Sequence, residues 1–115
     1  MYQSLDLIQK VYEFLQNPSF AKEFEFNNQI KRASFSISNN IAEGSEYNNN
    51  RQFIRYLKIA EGSCAEVKSM LIVSKRLKLG DENKAEEIII LSREVSSNIS
   101  NFIKYLSENI EKPNL

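Results

Sequence analysis

Four basic side chains carry the most legible chemistry in the chain. Arg51, Arg55, Lys58 and Arg76 fall within roughly 60° of one another on a helical wheel, at about 100° per residue. Such a stripe neutralises phosphates and releases their counterions, a mode of RNA binding that depends little on base sequence. The same residues also read as a solvated helix face. The whole chain balances 15 Lys plus Arg against 15 Asp plus Glu, where a dedicated nucleic-acid binder usually carries a basic excess. The balance is uneven along the chain. Between Arg51 and Leu79 lie seven basic residues and two acidic ones, whereas the segment from Gly80 onward holds four basic and seven acidic. Tyr47, just ahead of the stripe, could stack on a base or pack on the helix ends; we take the second.

Catalytic chemistry has little to work with. The chain has no histidine and one cysteine. The commonest general base near neutral pH is therefore missing, with every Ser-His or Cys-His nucleophile pair. Zinc sites of the Cys and His kinds are excluded as well. No Gly-rich phosphate cradle is present. We expect no enzyme, no cofactor, no metal and no small-molecule substrate. Cys64 lies on an apolar stripe and reads as a small core residue. A lone cysteine cannot form an intramolecular disulfide, which suits a cytoplasmic protein. No window approaches the ~18 apolar residues of a membrane span, and the N-terminus lacks the pattern of a signal peptide.

The elements that place these residues are helices. With 3 Gly and 2 Pro in 115 residues, turns are few and elements long, which favours an all-α fold. Helix one is expected over about 4–16, capped by Ser4, with Leu5, Ile8, Tyr12 and Leu15 as its stripe and Leu7, Val11 and Phe14 widening it. Pro18 ends it. Helix two runs over about 19–44, with Ser34, Ser36 and Ser38 as small contact positions and Gly44 as the left-handed residue at its end. Helix three, about 50–79, is capped by Asn49, with Gln52 three residues on. Its main stripe is Phe53, Leu57, Ala60, Cys64, Val67 and Leu71. A second stripe (Tyr56, Ile59, Ser63, Met70, Val73 and Leu77) widens the apolar arc to roughly 160°, beyond the ~100° that a bundle helix needs. Gly62 sits mid-helix, where glycine costs about 1 kcal/mol relative to alanine, so close helix packing is expected there. Gly80 and Asp81 turn the chain into helix four, about 82–110, whose stripe is Ala85, Ile88, Ser92, Val95, Ile99, Phe102 and Leu106. Lys112 to Leu115 read as a frayed tail. Short connections between long helices imply one antiparallel up-down four-helix bundle.

Two small-residue signatures flank the polar loop from Ser45 to Asn50: Asn40-Ile41-Ala42-Glu43-Gly44 before it and Gly62-Ser63-Cys64-Ala65-Glu66 after it. With Gln29-Ile30-Lys31-Arg32-Ala33, Ser36-Ile37-Ser38-Asn39, Gln52-Phe53-Ile54-Arg55-Tyr56-Leu57 and Ile59-Ala60-Glu61, they resemble the four-helix-bundle family found as reading frames inside intervening sequences of bacterial 23S ribosomal RNA genes. The family's pattern has proline where this chain has Ser38, so an amide is restored and a milder kink is expected. The resemblance implies a homo-oligomer, and in the family's studied members a barrel-like homopentamer. A related protein serves as accessory to the reverse transcriptase of diversity-generating retroelements, which implies RNA or a reverse transcriptase-like nucleoprotein as partner. Glu43 and Glu66 match family positions beside small residues. They read either as contacts to a ligand or RNA end, or as hydrogen-bonded partners of basic groups such as Arg32, and we take the second. Arg32, Glu43, Gly44, Gly62 and Glu66 are thus expected at helix or subunit contacts. The sequence-based reading is a non-enzymatic, homo-oligomeric bundle that binds RNA or a nucleoprotein. The alternative is a protein-binding scaffold with no nucleic-acid affinity.

Overall fold

Aromatic side chains and a proline decide where the first turn falls. The structure, a computed structural model, describes residues 2–110. In order, α1 spans Tyr2–Phe14, a single 3-10 turn covers Pro18–Phe20, and α2, α3 and α4 span Phe24–Ser45, Asn50–Arg76 and Glu82–Ser107. After Pro18, the Asn17 side chain accepts the Ser19 amide at 2.9 Å. The tight turn carries Phe20 into the core. There it meets Phe14 with ring centroids 5.0 Å apart and stacks on Phe26 at 5.4 Å. The Asn27 amide donates to the Phe20 carbonyl at 2.9 Å and locks the turn. This is why α2 starts at Phe24 and not at Ser19: burying Phe20 requires a bend that a continuous helix lacks.

The core face of α1 differs from the expected one. Leu7, Val11 and Phe14 are buried, with Ser4 one turn earlier, whereas Leu5 is 48% exposed. The spacing 4-7-11-14 follows one helical face closely, so the residues read as flanking the stripe are its centre. Ser4 is not a cap. The helix already runs from Tyr2, and Ser4 lies buried inside it.

The main stripe of α3 is buried in full: Phe53, Leu57, Ala60, Cys64, Val67 and Leu71. It meets Ile30, Ala33 and Ile37 of α2 and Ala85, Ile88, Val95 and Ile99 of α4 in one apolar cluster. α3 packs against both α2 and α4, and α1 closes the bundle against the same two helices. The result is an all-α, up-down four-helix bundle of 50 × 20 × 19 Å. Phe102 of α4 departs from its expected burial and is 39% exposed. One turn back, the Asn98 side chain donates to that of Gln3 of α1 at 2.6 Å, and Phe102 borders an opening shared with Gln3 and Ser4. It packs edge-on against Phe53, centroids 5.2 Å apart.

Helix ends follow their side chains. The Asn49 side chain accepts the Gln52 amide at 3.1 Å, and that of Asp81 accepts the Lys84 amide at 2.9 Å. α3 stops at Arg76, short of Leu79, because Lys78 turns left-handed at φ 59°. Gly80 follows at φ 76°, and a side chain there would lie 2.6 Å from the Phe20 ring. Gly44 is not the left-handed terminal residue expected. It sits buried inside α2, which runs on to Ser45. Ser38 lies in the same unbroken helix, its hydroxyl donating to the Phe35 carbonyl at 3.3 Å. α4 ends at Ser107, and the expected tail, residues 112–115, lies outside the described residues. No described helix is long and apolar enough to cross a membrane.

Candidate nucleic-acid interface

The residues singled out in the sequence gather on the outward side of the α2–α3 pair. α2 and α3 can approach because the residues between them are small. Ser63 of α3 donates to the Ser36 hydroxyl of α2 at 2.8 Å, and Asn40 donates to the same hydroxyl at 3.0 Å. Nearer the loop, a side chain at Gly44 would sit 2.8 Å from Tyr56 Cβ and 3.0 Å from the Phe53 ring. That contact presses the last turn of α2 onto the first turns of α3.

Arg51, Arg55 and Lys58 are all exposed on these first turns. Seven residues of helix span about 10 Å, so the three cations lie within two turns. Arg76 is also exposed, but 18 further residues put it roughly 27 Å along the axis. The structure brings three of the four cations together and leaves the fourth at the far end. Between them lie exposed Gly62 and Ser69. No atom stands within 4 Å of a side chain built at Gly62. The close intramolecular packing expected there is absent, since Gly62 points directly away from the core stripe at about 100° per residue. On one edge of the same face run Ile59, Val73 and Leu77, which are 50%, 44% and 59% exposed.

The expected pairing of Arg32 with Glu43 or Glu66 does not form within the chain. Arg32 and Glu43 are both exposed on α2, and eleven residues separate them by about 16 Å. Glu66 instead accepts a hydrogen bond from the Gln29 side chain across the α2–α3 groove. Lys75 of α3 and Glu86 of α4 form an ion pair at 2.6 Å. It holds the Glu86 carboxyl below its ordinary range and raises the lysine.

Tyr47 packs against the first turns of α3, in keeping with the expectation. Its ring stacks on Tyr56, centroids 5.4 Å apart with planes at 19°, and the two hydroxyls lie 3.3 Å apart. The hydrogen bond to Tyr47 raises the pKa of Tyr56 and so disfavours its ionisation; burial and Glu43 act in the same direction, while Arg55 opposes them. The sequence signal for this pair was two tyrosines nine residues apart across an asparagine-rich turn, and reading Tyr56 as a packing residue concealed it.

A second opening lies between α3 and α4. It measures about 410 Å³ and is lined by Glu61, Lys68, Ser92, Arg93 and Ser96, with Cys64 at its base. Burial pushes the Cys64 thiol up to about 12, with Glu61 adding to the effect, so the nucleophilic thiolate is suppressed. Among the described residues no cluster of three or more Cys, Asp or Glu side chains could hold a metal ion.

Fold and surface together define an all-α up-down bundle whose α2–α3 pair is built on small residues and carries cations outward. The chain belongs to the 23S rRNA-intervening sequence protein family, whose model matches residues 1–101. A solved structure from Bacteroides thetaiotaomicron, described as a protein of unknown function from the S23 ribosomal protein family, is similar. It shares 30% sequence identity and superposes with a TM-score of 0.80, over 89% of this chain and 95% of that one. Comparison with curated proteins gives no match.

Proposed function

We propose that this chain is a non-enzymatic, homo-oligomeric RNA-binding protein of the cytoplasm. The observation that carries the binding role is the cluster of Arg51, Arg55 and Lys58, exposed within two turns of one helix face. Three cations at that spacing match successive phosphates, and contacts of this kind draw most of their affinity from counterion release.

Assembly has its own support. Ile59, Val73 and Leu77 stay uncovered on α3, and Gly62 on the same face has open space before it. A mid-helix glycine costs about 1 kcal/mol relative to alanine, a cost that a close subunit contact would offset. The resemblance to studied family members supports a pentamer, around which repetition of the cations would multiply a weak single site through avidity. Arg32, Glu43 and Glu66, on the same side, supply polar contacts between subunits.

Replacing Arg51, Arg55 and Lys58 together with glutamine tests the reading. The variant keeps its helical signal and oligomer mass and loses affinity for a structured RNA at low salt. Binding that survives the triple change would move the RNA surface elsewhere. If the wild type binds no RNA at low salt, the chain is a scaffold that recognises protein alone.

A further inference from the structure

We infer that the stacked pair of Tyr47 and Tyr56 is a platform for an unpaired nucleobase, so that the RNA this protein takes is single-stranded or looped. The inference rests on the RNA-binding reading above and deepens it.

The pair is fixed before any ligand arrives. Tyr56 sits on α3, its Cβ against Gly44 of α2. Tyr47 sits in a loop braced at both ends. The Glu46 and Tyr47 amides donate to the Glu43 and Gly44 carbonyls at 3.2 and 3.3 Å, and Asn49 caps α3. The near-parallel rings and the contact between their hydroxyls hold Tyr47 in one orientation. It nonetheless remains 40% exposed. A tyrosine with this much open surface, already immobilised, gives up little entropy on stacking against a base.

Its surroundings match that ligand. Arg55 adjoins Tyr56 in sequence and lies close enough to act on its hydroxyl, and Arg51 is one turn earlier on α3. Cations beside an aromatic face are the combination by which proteins hold single strands: the backbone follows the charge while the base takes the ring. Glu43, also near Tyr56, accepts hydrogen bonds and repels phosphate, so it favours a base edge at the rings over the backbone. Paired bases in a duplex are stacked on one another and offer no free face, whereas loop bases can be splayed onto an aromatic ring.

The test compares two RNAs of equal length at equal salt, a hairpin with an unpaired loop and a blunt duplex, on wild type and two variants. Wild type prefers the hairpin. Tyr47→Ala weakens hairpin binding by roughly 5- to 160-fold, the range for loss of one base–aromatic stack, and leaves duplex binding unchanged. Tyr47→Phe, which keeps the stacking ring and loses only the hydroxyl contact, binds the hairpin more tightly than Tyr47→Ala and still prefers it to the duplex. Circular dichroism and oligomer mass stay constant in both variants, because Tyr47 lies outside the core. Should Tyr47→Ala bind the hairpin normally while the triple glutamine variant does not, the platform is overturned and the RNA-binding reading stands. Should wild type bind neither RNA at low salt, both are overturned.

Discussion

Gly44 and Cys64 show how single positions set the surface and the core. At Gly44 an added methyl would lie 2.8 Å from Tyr56 Cβ, and neither backbone can withdraw without opening the α2–α3 contact. Gly44→Ala should destabilise the fold by roughly 1–3 kcal/mol, the usual range for overpacking, and displace Tyr56. A lowered thermal midpoint is the expected readout; an unchanged or raised one would place the two helices further apart than described. Cys64 makes a different prediction. Its thiol pKa rises from about 9 to about 12 on folding, so the folded chain keeps a proton that an unfolded chain releases. The contribution is intact below about pH 9 and is lost as pH rises towards 12. Stability should therefore fall more steeply across that window in the wild type than in Cys64→Ala. At pH 8 an alkylating reagent should modify Cys64 only under unfolding conditions.

At the level of elements, the sequence was most legible where one stripe had one possible partner. All six residues of the α3 stripe are buried as their 4-3-4-3-4 spacing requires, and the asparagine and aspartate caps of α3 and α4 form as read. Legibility failed where two registers were both apolar, as in α1, and where one buried aromatic, Phe20, bent the chain. It failed again for Phe102, which continues the α4 stripe in spacing yet stays 39% exposed. The candidate site was half legible. The cations of α3 could be picked out from their spacing, but a helical wheel hides the axial rise that isolates Arg76, and the ring stacking of Tyr47 is a three-dimensional fact. The outward face of α3 carries its own test at Gly62. Since nothing touches this residue within the chain, Gly62→Leu should favour the helix itself by several tenths to about 1 kcal/mol while blocking a subunit contact. The expected result is a helical chain whose mass by light scattering is below that of the wild type. An unchanged mass would place Gly62 outside the interface.

For the whole molecule, zero net charge and an ordered surface act together. A balanced chain has no long-range pull on RNA, so the proposed binding relies on local placement of cations and on their repetition in the proposed assembly. The acidic excess after Gly80 would, on the proposed reading, disfavour polyanions on the rest of the surface. RNA recognition by α3 is thus the central claim, and its most direct test is the dependence of hairpin RNA affinity on salt. The account predicts a steep linear fall of log affinity with log salt concentration for the wild type. Arg51→Gln, Arg55→Gln and Lys58→Gln together should flatten that slope by about 0.7–0.9 for each phosphate that the variant no longer neutralises. An identical slope in wild type and triple variant, or no measurable binding by the wild type at low salt, would contradict it.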